Sequence, residues 1–112
     1  MSNKMTWPER EFVKLMKEIG CKYEAQKIIL GKIYDFYIPC INTLIEIDGD
    51  YYHGNPLIFE SLNSMQKRNQ KNDKKKDVIA IGCGYKLERI YENDLKNNYS
   101  KIKQKFISLL VF

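Results

Sequence analysis

Behind Thr6, apolar residues recur at helical spacing: Phe12, Leu15, Met16 and Ile19 fall on one face of a predicted helix that Gly20 stops. Thr6-Trp7-Pro8-Glu9 in front of it has the form of a capping box, with proline tolerated in the first turn. From Tyr23 to Leu30 the residues suit an extended strand, and Gly31 breaks it before Lys32 to Ile38. With Leu44 to Asp48 this makes a meander of three strands, the turn after the second marked by Pro39. The last arm is read as extended on through Tyr51, Tyr52 and His53, until Gly54-Asn55-Pro56 ends it. A polar segment follows that becomes helical by about Met65 and is terminated by Gly82-Cys83-Gly84. Tyr85 to Tyr91 then alternates as a fourth strand, with Leu87 and Arg89 on one face and Lys86, Glu88 and Ile90 on the other. So short a connection returns that strand to the same sheet. Asn93 or Asp94 caps one last helix, whose stripe of Leu95, Tyr99, Ile102, Phe106, Leu109 and Leu110 is expected to be core. The prediction is an α+β fold: a single domain over residues 1–112, its central mixed β-sheet flanked by helices.

Length and composition agree with one folded domain, since 112 residues with 44% apolar and 29% charged side chains can bury a core. No apolar run approaches the ~20 residues that span a bilayer, and the N-terminus leads into no signal-peptide core, so the chain is read as intracellular and cytoplasmic, without a membrane partner. Cys21, Cys40 and Cys83 form no Cys-x-x-Cys pair and are expected as buried thiols in a reducing compartment. The net charge of +5 favours a polyanionic partner. What matters is where the charge sits.

Chemistry concentrates between Asp35 and His53, where four carboxylates and the chain's one histidine lie close in sequence. Strand alternation sends Glu46 and Asp48 to the same face, and an antiparallel neighbour can bring Asp35 to them. Three carboxylates in one place repel unless shared protons or a cation compensate, and a divalent metal is the simplest compensation. Hard cations such as Mg²⁺, or Mn²⁺ in its place, prefer carboxylate oxygens, so Asp35, Glu46 and Asp48 are the candidate metal ligands. An EF-hand reading of Asp48-Gly49-Asp50 fails, because Tyr52, His53 and Phe59 stand where that loop needs oxygen ligand, glycine and glutamate. His53 can exchange a proton near neutral pH, as general base or leaving-group acid, or it can be a structural histidine. Glu9 can sit beside the buried face of its helix, or serve only as the cap. Lys67, Arg68, Lys71, Lys74, Lys75 and Lys76 form a basic run that is either a solvated helix face or a phosphate-binding one. Within it Asp73 is the exception, expected to face inward while the lysines fan outward. Tyr51 and Tyr52 are candidates for stacking on bases, core packing being the other use for at least one of them.

In order and spacing, Pro8-Glu9, Gln26, Asp35-Phe36, Glu46-Ile47-Asp48-Gly49, Tyr52-His53, Asn72-Asp73 and Gly84 to Glu92 resemble the very-short-patch-repair-like endonucleases. These form the EDxHD branch of the PD-(D/E)XK nuclease superfamily, which includes phage-borne homing enzymes. The resemblance spans about residues 6 to 95 and implies a restriction-endonuclease-like core. It implies that Glu9 is the acid of the first helix, Asp35 the central metal-binding aspartate, His53 the catalytic histidine, Asp73 the acid of the following helix and Asp48 the variable position. Related nucleases with Glu-x-Asp-Gly on the second strand make Glu46 a further ligand. Asp48 stands where the superfamily's usual lysine is expected, which suggests that His53 takes over water activation. Mismatch-repair members hold a structural zinc near this turn; Asp50 and the lack of a nearby cysteine leave no such zinc expected, and a homing-type or nicking role fits better.

The expectation is therefore a Mg²⁺-dependent endonuclease that hydrolyses phosphodiester bonds of double-stranded DNA. Two alternatives stay open: a non-catalytic nucleic-acid-binding module, and an RNA or branched-DNA nuclease with the same site. The apolar tail from Ile107 to Phe112 is core by default and leaves a homodimer interface open.

Overall fold

A computed structural model describes residues 5–56 and 59–111, with the side chains of Tyr52 and His53 outside the described set. Helix α1 (Trp7–Glu18) begins with the capping box: the Thr6 hydroxyl accepts from the Glu9 N–H at 3.4 Å, and Glu9 Oε1 accepts from the Thr6 N–H at 3.1 Å. Its inner side buries Phe12, Leu15 and Met16. Strands β1 (Glu24–Ile29), β2 (Lys32–Ile38) and β3 (Thr43–Asp48) run antiparallel, and β4 (Lys86–Tyr91) joins β3 in parallel. The sheet order is β1-β2-β3-β4, the meander plus the returning strand that the sequence predicts. That return is made by α3 (Ser64–Gly82), which lies across one face of the sheet.

The two faces differ in kind. On the α1 side, Phe12, Leu15 and Met16 pack with Phe36, Ile38, Ile45 and Ile90 of the sheet, and with Leu95 and Phe106 from α4 (Glu92–Asn97) and α5 (Tyr99–Leu110). Each fully buried side chain of this kind stabilises the fold by about 1.5–3 kcal/mol. Beneath α3, Ile29, Tyr34, Leu44 and Ala80 form a smaller apolar cluster, with Tyr37, Ile79, Tyr85 and Leu87 packed against it. The rest of that face is polar.

Several expectations are corrected. The arm through residues 50–53 is not a strand: β3 stops at Asp48, and Asp50–His53 form one turn of helix, α2. Tyr51 and Tyr52 have strand propensity, but Gly54 at φ 63 closes a helical turn there, and a Cβ on it would stand 2.3 Å from Leu62 Cδ2. Asp50 holds the turn by accepting from the Asn93 N–H at 3.2 Å and from Asn55 Nδ2 at 2.9 Å. The predicted last helix is two, α4 and α5, divided at Asn98. Leu109, in the last turn of α5, is 42% exposed rather than core, while Tyr99, Ile102 and Phe106 of the same stripe pack inward. Cys40 and Cys83 are exposed and Cys21 is half-buried, so the expectation of three buried thiols does not hold. Both exposed thiols lie in connections, where nothing packs over them. Phe112 and the first four residues lie outside the described set. No helix among the described residues is long and apolar enough to cross a membrane.

Candidate active site

Strand β2 changes face at Asp35. Tyr34 packs under α3, while Phe36, two residues on, packs against Phe12 of α1 with ring centroids 4.8 Å apart. A regular strand would send both to the same side. Opposite this break, between the pairs Ala25↔Phe36 and Lys27↔Tyr34, Gln26 of β1 has a φ of 55. Irregularities of this kind bend a strand and re-aim a side chain. Here they leave Asp35 outside the ladder, which between β2 and β3 ends at Phe36↔Ile45. In place of backbone pairing, Asp35 Oδ2 accepts from the Ile47 N–H at 2.7 Å, and the Asp35 N–H donates to Glu46 Oε1 at 3.0 Å. Two carboxylates are thereby built into the gap where β2 and β3 part.

Glu46 and Asp48 leave β3 on the same face, as alternation predicts, and both are buried, at 5% and 1% exposure. Their partners differ. Lys76 reaches in from α3 to Glu46 Oε2 at 2.7 Å and to the Ile33 carbonyl at 2.6 Å, its ammonium above the Tyr34 ring. Asp48 is paired instead with Arg89 of β4, at 3.2 Å. The same guanidinium binds Asp77 at 2.7 Å and Asp73 at 3.5 Å, and lies 4.0 Å from Glu46. Asp35 is thus bonded beside Glu46, while Asp48 shares Arg89 with Asp73 and Asp77, and the same Arg89 reaches to within 4.0 Å of Glu46. Among the described residues, no three His, Cys, Asp or Glu side chains are grouped as a metal site.

Burial, then the charge of Glu46, raises the Asp35 carboxyl to about 7, with Glu9 adding to the effect. Glu46 is also raised by burial, although Lys76 pulls the other way. Burial works against the Arg89 charge, but the bond to Asp77 and the fields of Asp48 and Asp73 outweigh it and raise its pKa. The Asp35–Glu46 pair has one cation, Lys76, for two buried carboxylates, and its hard oxygen donors could take a divalent ion such as Mg²⁺. Glu9 caps α1, and its charge adds to the rise at Asp35.

The carboxyl ends of the parallel strands β3 and β4 open into a cleft of about 480 Å³ lined by Asp48, Gly54, Asp73, Asp77, Arg89 and Tyr91, among others. Clefts at the carboxyl ends of parallel strands are a common place for ligands in α/β sheets. Along its rim, Lys67, Arg68, Lys71 and Lys74 of α3 line a shallow groove, and Lys75 is exposed beside them. Lys76 does not belong to that surface, since it turns inward to Glu46, contrary to the expectation that the lysines fan outward together. Asp73 does face inward. Tyr51 is 51% exposed, with its ring against Phe59. The Tyr52 and His53 side chains, both singled out in the sequence, lie outside the described residues.

Arg89 and Asp77 were not singled out in the sequence. Alternation places Arg89 on the face shared with Leu87, and so against α3, while Asp77 follows Asp73 by one helical turn. A face holding Glu46, Asp48, Asp73 and Asp77 needs an internal cation, and that need was the available signal.

Comparison with protein-family models finds no match, and none of the curated proteins matches either. Among solved structures, the catalytic domain of the homing endonuclease I-Bth0305I is similar to this chain, with a TM-score of 0.70 and 27% sequence identity over 94% of each chain. The chain therefore has the fold of an endonuclease catalytic domain, and the likeness supports a nuclease function.

Proposed function

We propose that the protein is a metal-dependent DNA endonuclease that hydrolyses phosphodiester bonds at the Asp35–Glu46 end of the sheet. The observation that carries the reading is the pair of buried carboxylates set in the gap between β2 and β3, within a fold similar to an endonuclease catalytic domain. Asp35 and Glu46 would hold Mg²⁺ or Mn²⁺, with Asp48 next along the strand. The bound ion would supply Lewis-acid stabilisation of charge on a phosphoryl oxygen.

The chain's own residues do the rest. His53, the one imidazole, takes the proton of the attacking water, a role that rests on its place in the sequence, at the end of the α2 turn. Lys76 orients Glu46 and favours its charged form against the effect of burial. Arg89 fixes Asp48 and Asp73 relative to each other, so that three elements share one geometry. Lys67, Arg68, Lys71, Lys74 and Lys75 neutralise backbone phosphates, which gives affinity and salt dependence with little base reading. Tyr51 and Tyr52 stand near the start of that helix as stacking candidates. The order of Glu9, Asp35, His53 and Asp73 favours the EDxHD type within this fold, of which homing and phage-borne nucleases are members.

Supercoiled plasmid incubated with the protein tests this. Nicking or linearisation with Mg²⁺, abolished by EDTA and reduced at least about 100-fold by Asp35→Asn and by His53→Ala, is the expected result. Equal cleavage by wild type and both variants would contradict it. The internal pairing of Arg89 with three acids favours a second reading, a non-catalytic DNA-binding module. Salt-sensitive binding without cleavage would establish that reading instead.

A further inference from the structure

The hairpin joining β1 to β2 carries apolar side chains where a free surface has no use for them. Its two-residue loop, Leu30-Gly31, has positive φ at both positions, 47 and 77, as a type I′ turn requires. Asparagine or glycine suits the first of these positions, and leucine is strained there. Leu30 is nonetheless 76% exposed, and the cross-strand pair Ile28↔Ile33 beneath it is 63% and 55% exposed. Ile29 and Tyr34 point the other way, into the cluster under α3, so Ile28 and Ile33 stand on the opposite face.

The strand register fixes where this tip lies. β2 runs antiparallel to β3 from Phe36↔Ile45 onward, so the β1–β2 turn lies toward the carboxyl end of β3, with Leu30 at its tip. At about 3.3 Å per residue the tip stands about 16 Å beyond Asp35. It is tied to the basic helix, because Lys32 Nζ donates to Asn72 Oδ1 at 3.4 Å. From Ala25 to Tyr34 the hairpin contains Lys27 and Lys32 and no acid. An apolar tip whose hairpin carries Lys27 and Lys32, and which Lys32 joins to the basic helix, suits a polyanionic substrate better than it suits a second basic copy of the chain.

We infer that the Leu30 hairpin is a DNA-inserting element: Leu30, supported by Ile28 and Ile33, wedges at a base step about five base pairs from the bond to be cut. The inference rests on the endonuclease reading for its substrate, and its test does not depend on cleavage.

Leu30→Asn is the informative variant, because asparagine-glycine is a favoured type I′ pair. Relief of strain raises Tm by a few degrees, while loss of the wedge weakens DNA binding in EDTA about tenfold, so the two effects have opposite signs. Duplexes with 2-aminopurine at successive steps should brighten at one step with wild type and not with Leu30→Asn. Equal affinity and equal fluorescence for the two proteins would overturn the proposal, as would failure of wild type to bind DNA. So would sedimentation showing a wild-type dimer that Leu30→Asn dissociates, which would give the patch to a second copy. Binding and brightening without cleavage when Mg²⁺ is restored would leave the wedge standing and remove the nuclease reading.

Discussion

The two faces of the sheet are built from the same strands and do different work. On the α1 face, Phe36, Ile45 and Ile90 meet Phe12, Leu15 and Phe106, with no charge among them. On the α3 face the alternate residues of the same strands, Glu46, Asp48 and Arg89, meet Lys76, Asp73 and Asp77. Apolar contact is non-directional and tolerant, whereas buried charges destabilise unless each finds a partner. A protein selected only for stability would fill both faces with apolar side chains. That the second face carries its charges at the open end of the parallel strands is the reason the proposed function places the ligand there.

The largest effect should come from damage to the first face. Phe12→Ala should cost about 3–5 kcal/mol, most of the stability of a domain this size, and urea denaturation would show the midpoint collapse. Arg89→Met should come next. It leaves Asp48, Asp73 and Asp77 facing one another, and because Arg89 is partly exposed the cost is discounted to roughly 2–3 kcal/mol at pH 7. The loss should shrink as pH is lowered through the carboxylate range, which the Phe12→Ala loss should not.

Asp35→Asn should go the other way. The Asp35 carboxyl titrates near 7 in the folded protein against an ordinary value of 3.8, so folding favours its protonated form. Its contribution is full below about pH 4 and is lost as pH rises through about 7. The variant should therefore be more stable than wild type at pH 8, by on the order of 2 kcal/mol, with a flatter pH dependence of Tm. The smallest effect on stability should come from Lys71→Ala and Lys74→Ala, within about 0.5 kcal/mol. Each should reduce the slope of log affinity against log salt by about 1.

The division between the faces also explains what could be read from the chain. Helix α1 was legible because the Thr6–Glu9 box and the spacing of Phe12, Leu15 and Met16 are local signals, and the strands β2 and β3 followed from alternation. The same-face placement of Glu46 and Asp48 came from that alternation too. The face change at Asp35 was not legible, because it depends on Gln26 across the ladder. Nor was the inward turn of Lys76, which is set by Glu46 thirty residues earlier in the chain. At residues 50–53 strand propensity misled, since Asp50 is held by Asn93, far along the sequence. Leu109 and the exposed cysteines were misplaced for a related reason: periodicity gives a face, but the end of a helix or a connection between elements decides whether anything covers it.

Thermal unfolding at pH 7.5 with and without millimolar Mn²⁺, for wild type and Asp35→Asn side by side, tests most directly whether the acids between β2 and β3 form an ion site. A rise in Tm on adding Mn²⁺ that is present in wild type and absent in the variant is the predicted result. No rise in wild type, or the same rise in both proteins, would contradict it.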